Sequence, residues 1–187
     1  MRMLFRSTAV ALATTFALLV SGCASSEPVI TPEPSPTSTP VFASDEEALA
    51  AATEAYAAYL AMSDQIAQDG GTSADRIGNL VTAAWLPKEI QQFSEFAKSG
   101  YHQSGVTHFD HLQLQRFGQD ERGTVTVTFY VCLDFSETKV LDNADLDVTP
   151  RDLDVRAPFE VSFESSKADS VNLLLSGMER WQSTNFC

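Results

Sequence analysis

The stretch TVTVTFYVCLDF, residues 124–135, decides the fold because its apolar side chains repeat with a period of two. Side chains of a β-strand point to the two faces of a sheet in turn, so this repeat predicts a half-buried strand. Threonine and tyrosine occupy the alternate positions. The apolar residues of the repeat are Val125, Val127, Phe129 and Val131.

Three other segments have strand patterns, which together predict an antiparallel meander. The four predicted strands lie at residues 106–118, 124–135, 157–165 and 170–182. Residues 120–123 and 165–169 are predicted turns, and Gly177 predicts a bulge in the last strand. Between the middle strands we expect a minor hairpin, in which Lys139–Leu141 pairs with Leu146–Val148.

The region before residue 101 has helical periodicity. Ser44 and Glu47 form the capping box of a long first helix, which ends at Gly70. Its two adjacent apolar stripes indicate a helix enclosed on most sides. Two shorter helices are predicted over residues 73–86 and 87–100. The apolar face of the third helix is formed by Ile90, Phe93 and Ala97.

These elements predict an α+β domain over residues 45–187. Three N-terminal helices would pack in the concave face of a curved antiparallel sheet of four long strands plus a minor hairpin. The order resembles the cone-shaped nuclear transport factor 2-like fold, which ketosteroid isomerase-like and polyketide cyclase-like proteins share. The segments YVCLDFS (130–136), KVLDNADLDVTPRD (139–152) and ERWQSTNFC (179–187) are also similar to small secreted lipoproteins of high-GC Gram-positive bacteria.

Residues 1–22 have the organisation of a secretory signal peptide. Two arginines precede an uncharged, mostly apolar run, Ser7–Val20, which is shorter than the roughly 20 residues of a membrane-spanning helix. The sequence V-S-G-C at 20–23 resembles the lipobox of bacterial lipoproteins, which implies that Cys23 is lipidated after cleavage. The alternative is a plain signal peptide whose Cys23 enters a disulfide.

Residues 23–44 are predicted to form a stalk. They contain five of the chain's eight prolines, between serines and threonines. Proline removes backbone donors and favours extended polyproline II, so this composition cannot build a packed core. With lipid on Cys23, the stalk would hold the domain away from the extracytoplasmic face of the cell membrane.

The composition excludes some partners. The net charge of −13 argues against nucleic acid and against docking on anionic lipid headgroups. The sequence contains no Walker loop, G-x-G-x-x-G or C-x-x-C motif, and no cofactor is expected.

The cysteine count predicts a disulfide. If Cys23 carries lipid, Cys132 and Cys187 remain, an even number in an oxidising compartment. Their bond would fasten the end of the chain to the middle of the sheet and would contribute about 4 kcal/mol in the chain-entropy model. Two free thiols are the alternative.

The sequence HFDH, residues 108–111, is the main cluster of metal-ligating types. Alternation on a strand places His108 and Asp110 on one face and His111 on the other. A zinc-type site needs three or four converging ligands, and His102 is the only other histidine. We therefore expect ordinary polar strand residues here and no metal site.

A weak catalytic hypothesis remains for the same strand. His108 and Asp110 could form an acid–base pair at the mouth of a cone. The resemblance implies an aspartate base with a tyrosine or acidic donor in the cavity, and Tyr56 or Tyr59 of the enclosed helix could supply a hydroxyl. No family motif assigns catalytic roles to these positions, and buried tyrosines usually only pack.

An acidic stretch lies between the second and third predicted strands, and its aspartates are Asp142, Asp145, Asp147, Asp152 and Asp154. An EF-hand loop needs glycine at its sixth position and glutamate at its twelfth. Counted from Asp145, these positions hold Pro150 and Arg156. A solvated acidic loop is the expectation, with a weak surface calcium site as the alternative.

Three functions are therefore compatible with the sequence. The first is a non-enzymatic, lipid-anchored envelope protein that binds another protein or an envelope component. The second is capture of a small apolar ligand in the cone. The third, less favoured, is an isomerase- or cyclase-like enzyme. The volume and the polarity of the cone cavity discriminate among them.

Overall fold

The structure, a computed structural model, describes residues 40–166, 169 and 171–187. The predicted signal peptide and residues 23–39 of the predicted stalk lie outside the described residues, as do two residues of the predicted turn at 165–169. The described chain is an α+β fold with three helices and two antiparallel sheets, which confirms the predicted fold class.

The first helix, α1, spans Asp45–Gln68. Ser44 Oγ accepts a hydrogen bond from the Glu47 amide at 3.3 Å, while the Glu47 carboxylate accepts one from the Ala43 amide at 2.7 Å. The first bond satisfies a donor that the first turn of a helix leaves unpaired, as the capping box predicts. The Glu47 carboxylate reaches back one residue further than the capping box predicts, to the amide before Ser44.

The second predicted helix is shorter than its pattern indicated. It is a 3₁₀ helix of six residues, Ala74–Asn79, after which the chain joins the last strand. The Thr82 amide donates to Leu175 O, and the Leu175 amide donates to Leu80 O, both at 2.9 Å. Gly78 and Asn79, which have low helix propensity, end the helical turn. The hydrogen bonds to Leu175 then satisfy backbone groups that a longer helix would have paired. The third helix, α2, spans Leu86–Ser99 and ends at Gly100, whose φ of 73° favours glycine.

Six strands follow: β1 (His102–Ser104), β2 (His108–Gln119), β3 (Val125–Asp134), β4 (Lys139–Leu141), β5 (Arg156–Ser165) and β6 (Leu173–Arg180). The main sheet has the order β2-β3-β5-β6 and is antiparallel throughout. The predicted meander is thus confirmed, and so is the irregularity at Gly177. Ser162 pairs with Gly177 and Phe163 pairs with Leu175, so one residue of β6 is bulged out.

The minor hairpin is present and has an additional partner. The Val148 amide donates to Val140 O at 2.9 Å, and the Asp142 amide donates to Leu146 O at 3.0 Å. Strand β4 also pairs with β1 along its whole length, which the sequence analysis did not predict. Three-residue strands have too little periodicity to be recognised, and their pairing depends on how α1 and α2 bring β1 to this edge.

The two faces of the main sheet differ. The apolar residues of β3 predicted from the period of two are fully buried on the inner face, which the helices cover. The outer face carries Tyr130, Cys132 and Asp134. A disulfide joins Cys132 to Cys187 with Cα atoms 5.6 Å apart, so the chain end crosses this outer face. Trp181 and Phe186 pack on the Tyr130 ring, with centroids 4.7 and 5.7 Å away.

Candidate functional site

The space between the helices and the inner face of the main sheet is filled by aromatic side chains. Tyr56 of α1 is fully buried, and its ring lies 5.1 Å from Phe109, 5.8 Å from Phe129 and 6.3 Å from Phe163. Among the described residues, its hydroxyl is the one solvent-inaccessible side-chain nitrogen or oxygen atom without a hydrogen-bond partner. Burial raises the pKa of Tyr56, so the phenol stays neutral. Tyr56 is therefore a core residue that packs against other aromatic rings.

The other two residues of the weak catalytic hypothesis lie on the opposite side of the sheet. His108 pairs with Asp134, and Asp110 pairs with Cys132, which places both on the outer face. His108 Nε2 contacts Glu137 Oε2 at 3.0 Å instead of Asp110. The structure thus does not bring His108, Asp110 and Tyr56 together into one site.

Asp110 belongs to a charged cluster on this outer face. Arg156 donates to both Asp110 oxygens at 2.7 and 2.9 Å, and to Asp134 Oδ2 at 2.7 Å. Hydrogen bonds from His111 and then Arg156 lower the pKa of Asp110. Hydrogen bonds from Ser136, assisted by Arg156, lower the pKa of Asp134 to about 2. Together these contacts form a structural ion-pair network at the sheet surface.

His111 departs from the alternation predicted for its strand. Its φ of 54° and a register shift between Asp110 and Gln113 mark a bulge. The bulge turns His111 back, so its Nδ1 lies 2.7 Å from Asp110 Oδ1. The prediction that these two side chains point apart was wrong because a bulge interrupts the period of two.

In the described part of the chain, one group of three metal-ligating residue types lies close together, Asp110, His111 and Cys132. The Cys132 sulfur is bonded to Cys187 and is therefore not a thiolate ligand. His102 and His108 each contact a different carboxylate, Asp145 and Glu137. The three histidines are thus distributed over three separate contacts.

Two carboxylates of the acidic stretch after β4 accept hydrogen bonds from backbone amides of the same loop, whereas Asp145 contacts His102 and Asp154 contacts Arg180. Asp142 Oδ1 accepts the amides of Ala144 and Leu146 at 2.8 and 3.0 Å, and Asp147 Oδ1 accepts the Thr149 amide at 3.0 Å. These bonds shape the turns of the loop. Four large apolar side chains nevertheless remain exposed there: Leu146 (63%), Val148 (38%), Leu153 (44%) and Val155 (56%).

A cavity of about 280 Å³ lies where α1 and α2 meet the small β1–β4 sheet. Its wall includes Ser63 and Ala67 of α1, Gln92 and Phe96 of α2, Gln103 of β1 and Val140 of β4. Three other residues of the wall, Tyr59, Glu89 and Phe93, are buried. Tyr56 is not part of this wall, but its ring stacks on that of Tyr59 with centroids 6.1 Å apart.

Glu89 is the unexpected member of this wall, because only 3% of its surface is exposed. Its Oε1 accepts hydrogen bonds from the Tyr59 hydroxyl at 3.1 Å and from the Trp85 indole at 2.7 Å. Burial, followed by the negative charge of Glu89, raises the pKa of Tyr59, so this phenol donates and stays neutral.

Glu89 was not predicted from the sequence as a buried residue, because the apolar residues of α2 predict a different buried face. Ile90 of that face is 36% exposed, whereas Glu89 is buried beside Phe93. One signal was present in the sequence. Trp85 and Glu89 are four residues apart, a spacing that lets an indole donor reach a carboxylate on the same helix face.

Comparisons with known proteins report on the fold alone. No protein-family model and no curated protein matches this chain. Among solved structures, the intermembrane space region of the chloroplast protein ARC6 aligns with a TM-score of 0.52 at 10% identity, over 72% of this chain and 97% of that one. That likeness indicates a shared fold and nothing about activity.

Two further solved structures align at lower scores. A periplasmic fragment of TraM has a TM-score of 0.47 and 11% identity, over 76% of this chain and 100% of that one. A protein from Catenulispora acidiphila, solved in complex with S-DNPA, has a TM-score of 0.43 and 14% identity, over 70% and 92%. Within the described residues, no helix has the length and apolar character needed to cross a membrane.

Proposed function

We propose that this chain is a lipid-anchored, extracytoplasmic envelope protein whose domain binds another protein. Three features of the sequence support the location: the signal-like start, the lipobox-like V-S-G-C at Cys23 and the proline-rich stalk after it. The disulfide between Cys132 and Cys187 is compatible with an oxidising compartment.

The loop between β4 and β5 is the surface proposed to bind the partner protein. Single exposed apolar residues are ordinary on protein surfaces, but here four large ones lie within ten consecutive residues, 146–155. The surrounding segment, residues 136–155, contains six acidic and only two basic side chains. We call this segment the acidic loop.

Charge and apolarity together specify the chemistry of the partner. Apolar side chains contribute binding energy when they are desolvated, and complementary charges steer the encounter and set its orientation. An acidic loop with exposed leucines and valines therefore suits a protein surface that presents lysines or arginines beside apolar side chains. Association is expected to weaken as ionic strength rises, because salt screens the exposed charges.

The filled cone argues against the two other hypotheses. A small apolar ligand in the cone would need the volume that Tyr56 and its three phenylalanine neighbours occupy. An isomerase-like mechanism would need an acid or a base beside that volume. His108 and Asp110 lie on the other face of the sheet.

Site-specific photo-crosslinking in the native cells tests the proposal. A photoreactive amino acid at Leu146 is expected to give one discrete adduct in the membrane fraction, with a protein that has a basic surface. The same amino acid at Val171, which is 57% exposed at a different turn, is the matched control and should give none. Neutralising Asp147 and Asp152 to asparagine should reduce the adduct at least five-fold.

Two results would count against the proposal. Equal adduct yields at Leu146 and Val171 would mean random collision. An adduct yield that the asparagine substitutions leave unchanged would mean that charge complementarity does not contribute to binding. A Cys23→Ala variant isolates the anchor: it should leave the membrane fraction while the acidic loop keeps its binding capacity. Retention of that variant in the membrane would contradict lipid anchoring and leave protein binding as a separate question.

A further inference from the structure

Glu89 is a buried carboxylate that has no basic partner among the described residues. Transfer of a charge into the protein interior costs free energy unless another charge or hydrogen bonds compensate it. In the described part of the chain, no ion pair includes Glu89. Lys88, its neighbour in sequence, lies over the Trp85 ring with Nζ 3.9 Å from the centroid. The negative charge of Glu89 is thus held by two neutral donors and by its place in the first turn of α2.

The two donors use only one of its oxygens. Tyr59 and Trp85 both donate to Oε1, and among the described residues no hydrogen bond to Oε2 is found. Among the described residues, the Tyr56 hydroxyl is the one solvent-inaccessible side-chain polar atom without a hydrogen-bond partner. Oε2 of Glu89 also has no partner among these residues, so it is not one of the solvent-inaccessible atoms. Since Glu89 forms part of the cavity wall, Oε2 is the acceptor that a molecule in the cavity could reach.

The rest of the wall suits an organic cation. Tyr59, Phe93 and Phe96 line the cavity, and aromatic faces attract ammonium groups. Gln103 donates through Nε2 to Asp64 Oδ1 at 2.7 Å, and a carboxylate that accepts this bond fixes the orientation of the amide. The carbonyl oxygen of Gln103 is not used in that bond and is a second acceptor for an ammonium N–H.

We propose that the cavity between α1, α2 and the β1–β4 sheet binds a small organic ammonium ion, with the charged nitrogen at Glu89. A metal ion is a poor fit because the wall supplies one carboxylate, whereas hard cations take six or more oxygen ligands. The volume of about 280 Å³ lies just below that of pockets for drug-sized ligands, so the occupant is a small amine. The net charge of −13 favours accumulation of cations at the surface.

Calorimetric titration of the full-length protein in non-ionic detergent is the first test. Benzylammonium is the probe, and benzyl alcohol is the neutral molecule of similar shape. Benzylammonium is expected to bind saturably and at least ten-fold more tightly than the alcohol. Equal affinity for the two probes, or no saturable binding of the ammonium ion up to millimolar concentration, would overturn the proposal.

Two variants of α2 locate the charge that matters. Glu89→Gln keeps the shape and the acceptor oxygen but removes the charge, so the preference for benzylammonium should disappear. Glu95→Gln is the matched control, because Glu95 is exposed on the same helix and contacts Gln91. It should retain the wild-type affinity within two-fold. Unchanged binding by Glu89→Gln would overturn the assignment.

A measurement on the unaltered protein covers the case in which Glu89→Gln fails to fold. In NMR spectra, benzylammonium should shift the indole N–H signal of Trp85 and the side-chain amide signals of Gln92 and Gln103. Shifts confined to residues 142–155 would place the cation on the acidic loop and would contradict the proposal. This result would leave the proposed binding of a protein partner unaffected.

Discussion

The two faces of the main sheet are stabilised in different ways, although the same strands form both. On the inner face, Tyr56 packs against the rings of Phe129 and Phe163, and its hydroxyl has no hydrogen-bond partner among the described residues. On the outer face, Arg156 joins Asp110 to Asp134, and a disulfide fastens the chain end. Burial of apolar side chains therefore stabilises the inner face of the sheet, while ion pairs and one covalent bond stabilise the outer face.

Truncation of the inner face should have the largest effect. Tyr56→Ala removes a buried ring from a closed aromatic cluster and is expected to lower the free energy of unfolding by about 3–5 kcal/mol. Urea denaturation followed by circular dichroism measures this change. A loss below about 1 kcal/mol would mean that the cluster collapses onto the vacated space and that the inner face does not dominate stability.

Tyr56→Phe is the matched control for that prediction. It removes only the hydroxyl, which has no partner among the described residues. A buried hydroxyl without a hydrogen bond is unfavourable, so the variant should equal the wild type or exceed it by about 1 kcal/mol. A clear loss of stability would show that the hydroxyl is hydrogen-bonded in solution.

The inner face could be predicted from the sequence because its signals are local. The period of two in β3 places alternate residues on one face whatever else the chain does, and the capping box at Ser44 acts within four residues. The strands, the bulge at Gly177 and the fold class follow from such patterns. The pairing of Cys132 with Cys187 followed from counting once Cys23 was assigned to lipid.

The candidate cavity could not be predicted in the same way. Glu89 is buried because Tyr59, thirty residues earlier, donates to its carboxylate, and no local pattern reports a contact of that range. The pairing of β1 with β4 likewise depends on how the helices are placed. At His111 a bulge reversed the facing that alternation predicts, since one extra residue shifts every side chain that follows.

The disulfide should have the next largest effect, on the outer face. Replacing Cys132 and Cys187 together by alanine removes a cross-link between residues 55 apart and is expected to cost about 2–4 kcal/mol. Trp181 and Phe186 should then lose their fixed contact with Tyr130, which tryptophan fluorescence in the variant measures. Unchanged stability would mean that the chain end holds its place by packing alone.

The control for the disulfide is reduction of the wild-type protein under native conditions. It should reproduce the double-alanine result, because both treatments free the chain end without altering the inner face. If reduction destabilises the protein far more than the double variant does, two free thiols are themselves unfavourable at the sheet surface. In that case the double-alanine variant alone would measure how much the disulfide stabilises the outer face.

The charged cluster should have the smallest effect, and its signature is a dependence on pH. The folded-state pKa values of Asp110 and Asp134 are lowered, so their contribution is present above the ordinary aspartate pKa of about 4 and is lost as pH falls. For Asp134 this loss extends down to about pH 2. These ion pairs are only partly buried, and ion pairs near a protein surface contribute little, so the shift in the urea midpoint should be modest.

An Arg156→Met variant isolates the part of this dependence that comes from the ion pairs. Its urea midpoint should lie below that of the wild type at pH 6, and the gap should close as pH falls from about 4 to about 2, because protonated aspartates no longer need the guanidinium. Arg122→Met is the matched control, since Arg122 is largely exposed and lies 3.7 Å from Asp120. A gap that stays constant with pH would assign the role of Arg156 to packing of its aliphatic stem, and the outer face would then resemble the inner one.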